Sequence, residues 1–118
     1  MLNLGHMNLD VWKDSMNFVT NIYQITRSFP QNELYGITSQ IIRVAISVPS
    51  NIAEGASRNS STERRRYYKI ARSSLVELDT QLEICNSLEY LSSENLDPLS
   101  KSINKIFARL TNLIQRTV

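Results

Sequence analysis

One stretch near the middle of the chain constrains the fold more than any other: Gln40-Ile-Ile-Arg43-Val-Ala-Ile-Ser47-Val-Pro-Ser-Asn51-Ile-Ala-Glu54-Gly55. Ile41, Val44, Ala45, Val48, Ile52 and Ala56 recur at three- and four-residue spacing, the pattern of a helix with one face in a core. Gln40, Arg43, Ser47, Asn51 and Glu54 recur at the same spacing beside them. On so apolar a helix the second row is expected to find hydrogen-bond partners, because buried polar groups are almost always paired. The expected partners are Glu77 and Gln81, on a polar row of a later helix, in a structural network of Gln40, Arg43, Ser47, Asn51, Glu54, Glu77 and Gln81. Arg43 is expected to be largely buried there, bonded to Glu77 or to a carboxylate of a neighbouring subunit. Glu54 and Glu77 also allow an acid/base pair across two helices. The network is the reading adopted, because Arg43 and Gln81 lie on the same two rows.

The 118 residues are enough for one domain with a modest core, residues 1–118, of which residues 1–7 are expected to be flexible. With three glycines and three prolines, turn chemistry is scarce, so long helices and short connections follow. The first helix is predicted from about Leu9 to Ser28, on Leu9, Trp12, Met16, Val19, Tyr23 and Thr26, and ends at Phe29-Pro30. The second is predicted from about Glu33 to Ala56, perturbed at Pro49, which has no donor for the carbonyl of Ala45. The third opens on the capping-box spacing Ser60-Ser-Thr-Glu63 and runs to about Tyr90. Ser92 to Asn95 reads as a turn, and the fourth helix starts with Asp97 as N-cap and Pro98 at its first position. No strand pattern competes. The predicted fold is all-α, an antiparallel up-down-up-down four-helix bundle.

Several function classes are disfavoured. The single cysteine, Cys85, rules out an internal disulfide and suits a reducing, cytoplasmic location. It reads as a core residue, since the one histidine, His6, precedes the first helix and cannot activate it. The same shortage of histidine and cysteine argues against a transition-metal centre, and no cofactor is expected. The glycines at 5, 36 and 55 are isolated, so no phosphate-cradling loop exists. No secretory signal or membrane-spanning run is visible in the sequence. A non-enzymatic protein is the expectation.

The net charge of +2 conceals blocks of opposite sign. Residues 58–72 carry six basic groups and one acid, residues 73–97 six acids and no base, and residues 98–118 four bases and no acid. Arg58, Arg64, Arg65, Lys69 and Arg72 crowd one short segment, with Tyr67 and Tyr68 interleaved. Arginine binds phosphate well and tyrosine stacks on unpaired bases, so this segment is a candidate RNA contact. Lys101, Lys105 and Arg109, four residues apart on the fourth helix, give a second candidate patch. Cations in a helix's first turn oppose its dipole, which points equally to a subunit contact with the acidic block of a neighbour. Both readings stay open.

Leu9-Asp-Val-Trp12, Tyr23, Phe29-Pro30, Glu33-Leu-Tyr-Gly36, Gln40-Ile-Ile-Arg43, Ser47-Val-Pro-Ser-Asn51-Ile-Ala-Glu54-Gly55 and Ser74-Leu-Val-Glu77-Leu-Asp-Thr80-Gln81-Leu82 together resemble the bacterial four-helix-bundle family first recognised in proteins encoded within intervening sequences of 23S ribosomal RNA genes, also called the S23 family. The similarity runs over nearly the whole chain from about residue 8, and the Ser-Val-Pro-Ser-Asn-Ile-Ala-Glu-Gly string is its most specific part. The resemblance implies a ring-like homopentamer. It also implies kinship with the accessory protein of diversity-generating retroelements, a basic pentamer thought to bind nucleic acid and a reverse transcriptase. The biochemical activity of the wider family is unknown. The resulting expectation is a homo-oligomeric, pentameric scaffold that binds RNA or an RNA–protein complex through its basic surface. The alternative is a purely structural oligomer that recruits a protein partner without nucleic acid.

Overall fold

A computed structural model describes all residues, 1–118, and contains four α-helices and no strand. Residues 5–8, expected to belong to a flexible lead, form a 3₁₀ turn that sets His6 edge-on to Trp12, with ring centroids 5.0 Å apart. Helix α1 follows at Asp10–Thr26, its first-turn aspartate matched to the positive end of the helix dipole. Its buried stripe is Val11, Ser15, Phe18, Ile22 and Thr26; of the predicted row Leu9, Trp12, Met16, Val19, Tyr23 and Thr26, only Thr26 belongs to it. Met16 and Tyr23 are exposed, and Trp12 and Val19 are half-buried. The helix carries two apolar stripes side by side. The one that faces the core includes two hydroxyls, each bonded within the helix: Ser15 donates to the Val11 carbonyl at 2.7 Å and Thr26 to that of Ile22 at 2.9 Å.

The approach to the second helix is irregular. A 3₁₀ turn at Gln31–Glu33 leads into a π turn at Leu34–Thr38, where Gly36 has the non-helical angles φ −107°, ψ −122°. A Cβ on Gly36 would lie 2.7 Å from Glu33 Oε1, while Glu33 Oε2 accepts a 2.9 Å hydrogen bond from the Tyr90 hydroxyl. Only after this does α2 begin, at Ser39–Ala56, and it passes through Pro49 without a break. Ser47 donates to the Val44 carbonyl and Asn51 to that of Ser47, so both side chains near the proline bond carbonyls other than that of Ala45. Ile41, Ala45, Val48 and Ile52 are buried as the spacing predicted, while Val44 and Ala56 of the same stripe are half-buried.

Helix α3 spans Ser61–Ser87, capped by Ser60, whose hydroxyl accepts from the Glu63 N–H at 3.1 Å. It stops three residues short of the predicted end. Glu89 adopts φ 63°, the Tyr90 N–H reaches the Cys85 carbonyl at 2.9 Å, and the Glu89 N–H reaches that of Asn86 at 3.0 Å. These two bonds define a Schellman C-cap, with a glutamate where glycine is the usual residue. Left-handed backbone costs a non-glycine residue about 1–2 kcal/mol, and glycine's extra chain entropy offsets part of the relief. Glu89→Gly is therefore expected to stabilise the fold by roughly 0.5–1 kcal/mol, read from the urea midpoint at fixed protein concentration.

Helix α4 runs from Ser93 to Arg116. Its cap is Ser92, which accepts from the Asn95 N–H at 3.3 Å, rather than Asp97; Pro98 falls inside the helix instead of opening it. A serine with three free N–H groups ahead of it begins the helix five residues before the proline, which then forgoes a single backbone bond. The helices close on one another in the order α1, α2, α3, α4 and back to α1. Between them lies one core, centred on Ile22, Ile41, Ile52, Leu75, Leu78, Ile106 and Leu110. The tightest approach is between α2 and α3, where Ser47 meets Ser74 at 2.8 Å and Gly55 meets Tyr67 and Tyr68.

Candidate nucleic-acid interface

The basic segment is largely engaged within the protein. Arg58 pairs with Glu54 and donates to the Tyr67 hydroxyl at 3.0 Å, its guanidinium lying 4.9 Å from the centre of that ring. The bond to Glu54 is the main reason its pKa is raised. Arg64 donates to the Arg58 and Asn59 carbonyls and so fastens the loop before α3. Arg65 donates to the Thr117 carbonyl at 3.0 Å, just past the end of α4. Arg72 donates to the Thr111 hydroxyl at 3.2 Å and lies over the Phe107 ring. Arg66 makes a loose pair with Glu63 at 3.4 Å and stays mostly exposed. Lys69 is exposed and makes no side-chain bond or ion pair. Arg65, Arg66 and Lys69 line a shallow recess with Thr62, Ile70 and Ser73, and this is where the segment offers free cations.

The row on α4 lies elsewhere. Lys105 and Arg109 both reach Asp14 of α1, Lys105 at 3.7 Å and Arg109 closer still. Thr111 and Phe107, by contrast, meet Arg72 of α3, so the two basic sets occupy opposite flanks of α4. Lys101 is exposed and unpaired. Asp14 is the carboxylate that gathers this row. The sequence signals it only as an acid in the first helix alongside bases spaced by four in the last.

The polar network is also looser than expected. Arg43 is exposed rather than buried, and neither it nor Glu77 makes an ion pair within the chain. Gln40 is exposed, and Glu54 is half-exposed and taken by Arg58, which separates it from any pairing with Glu77. The part that does form is Ser47 with Ser74 and with its own helix, and Asn51 back to Ser47. Gln81 is buried, and its Oε1 has no partner. The physical reason is position: α2 meets α3 through Ser47 and Gly55, and Arg43, one turn before Ser47 on the same row, is exposed beyond that contact.

Little else offers chemistry. Cys85 sits in the core with its thiol pushed up to about 11, first by burial and then by the charge of Glu33, so it stays protonated at neutral pH. No three His, Cys, Asp or Glu side chains come together to hold a metal ion. No helix is long and apolar enough to cross a membrane. The exposed side chains that stand out are apolar: Met16 and Tyr23 on α1, Ile46 on α2, and Ile70, Val76, Ile84 and Leu88 along α3.

Fold and surface together define a helical-bundle protein whose notable features lie on its outside. The model of the 23S rRNA-intervening sequence protein family matches residues 7–112, and the chain belongs to that family. Among solved structures, a protein of unknown function from the S23 ribosomal protein family of Bacteroides thetaiotaomicron VPI-5482 superposes with a TM-score of 0.79. It shares 22% sequence identity, over 88% of this chain and 97% of that one, which establishes the shared fold. No curated protein matches the sequence.

Proposed function

We propose that this protein is a non-catalytic, homo-oligomeric scaffold, a pentamer by family resemblance, whose repeated basic faces hold RNA or an RNA–protein complex. The observation that carries the reading is the recess on α3 lined by Arg65, Arg66 and Lys69, where two exposed cations face solvent with at most one loose ion pair between them. A single such face binds weakly, and repetition around an oligomer raises its avidity. The cytoplasm, where RNA is found, is the proposed location. Glu54 is held by Arg58, which supports giving it a structural rather than an acid/base role in this reading.

The test is a salt titration of single-stranded RNA binding by fluorescence anisotropy. Each phosphate neutralised contributes about −0.7 to the slope of log affinity against log salt. Replacing Arg66 and Lys69 together by alanine is expected to flatten the slope by about 1.4 while leaving the mass of the assembly unchanged. Arg65→Ala and Arg72→Ala should act differently, lowering the melting temperature through their bonds to α4. If RNA does not bind at low salt, the better reading is the structural oligomer that recruits a protein.

A further inference from the structure

Two unpartnered surfaces of this chain match one another. The first is a groove on the outer side of α2, made of two recesses that share Ile46. Leu34, Ile42 and Ile46 line one with Arg43, and Met16, Ile46 and Pro49 line the other, against α1. Ile46 and Met16 are 40% and 44% exposed there. Arg43 is the one arginine, lysine or carboxylate in its lining, and it has no ion-pair partner in the chain. Thr38 lines the same groove, and its Oγ1 is buried without a hydrogen bond.

The second is a ridge on α3. Ile70, Glu77 and Ile84 stand seven residues apart, which brings them onto one face, and Leu88 extends the row. Ile70, Ile84 and Leu88 are exposed, and Glu77 is an unpaired carboxylate in their midst. From Ile70 to Leu88 the ridge spans about 27 Å at 1.5 Å per residue. The groove follows α2, whose 18 residues cover a similar length. One surface is apolar with a single cation part-way along, and the other carries apolar side chains at its two ends, with Glu77 as the single charge between them, beside Ser73 and Thr80. They do not meet within one chain: α2 turns Ser47 and Gly55 towards α3, and the recess that holds Arg43 has no α3 residue in its lining.

We infer that a second copy of this chain seats its α3 ridge in the α1/α2 groove, with Glu77 of the ridge paired to Arg43 of the groove. The inference rests on the homo-oligomeric reading above and names the contact that builds it. RNA has no apolar ridge to offer such a groove, whereas this chain carries one of matching length and opposite charge. Since groove and ridge are different patches, the contact is heterologous, and each copy keeps one free groove and one free ridge until the series closes into a ring.

Charge exchange tests it on the full chain. Light scattering coupled to size exclusion at tens of micromolar should give at least three chains for the wild type. Arg43→Glu and Glu77→Arg should each bring the mass down to one chain, with helical content by circular dichroism unchanged because both positions are exposed. The double variant, which restores opposite charges across every contact, should assemble again. So should an equimolar mixture of the two single variants, because alternation of the two kinds leaves at most one like-charge contact in a closed ring. Ile84→Asp should dissociate the assembly without charge rescue. A wild type of one or two chains would overturn this contact and, at one chain, the homo-oligomeric reading as well. A larger assembly whose mass none of the single variants changes would overturn the contact alone. Dissociation by the single variants with no recovery in the double variant or the mixture would also overturn the pairing.

Discussion

Gly55→Ala is expected to destabilise the protein by about 2 kcal/mol, although the same change in a free helix would stabilise it by about 1. A Cβ at this position would lie 2.9 Å from Tyr68 Cε1 and 3.0 Å from Tyr67 Cβ. Tyr68 is buried and cannot swing away, so α2 and α3 must separate where they pack most tightly. Gly5→Ala, with nothing within 4 Å, is the control and should leave the urea midpoint where it is. An equal response of the two variants would mean that the close approach of the helices carries no weight.

A larger loss is expected from Ile22→Ala, about 3–4 kcal/mol, because Ile22 is fully buried and its removal leaves a cavity among well-packed neighbours. Its sequence neighbour behaves in the opposite way. Tyr23 is 45% exposed, so Tyr23→Ala should cost under about 1 kcal/mol. Denaturation of the two variants side by side tells which of the two stripes of α1 faces the core. If Tyr23→Ala is the more damaging, the helix is rotated from the orientation described.

That helix also marks how far the sequence could be read. On α2 the buried positions were legible, because Ile41, Ala45, Val48 and Ile52 stand beside a row of polar groups that no core would accept whole. On α1 two apolar stripes compete. The buried one contains Ser15 and Thr26, whose hydroxyls are hidden by bonds to their own helix that composition does not advertise. The start of α4 was misplaced because Asp97-Pro98 is a strong local signal, yet Ser92 caps the helix sooner. The family pattern was legible from the Ser47–Gly55 string. Part of its meaning is now structural: Ser47 joins Ser74, Glu54 holds Arg58, and Gly55 admits the tyrosines. The basic segment was the hardest to read. That it is positive is evident from composition, but which cations are spoken for depends on Thr111, Thr117 and Glu54, which only the folded chain brings near.

The bond from Arg65 to the Thr117 carbonyl ties the surface of α3 to the far end of the chain. That bond uses Nη1 alone, and the remaining N–H groups of the guanidinium stay available to an anion. An anion that also requires Nη1 would compete with the carbonyl, and the opposition between the two would be reciprocal. In that case a ligand taking Nη1 loosens the segment after α4, and whatever secures that segment weakens the hold on the ligand. The segment after α4 is in this sense an internal competitor for one of the donors on this face.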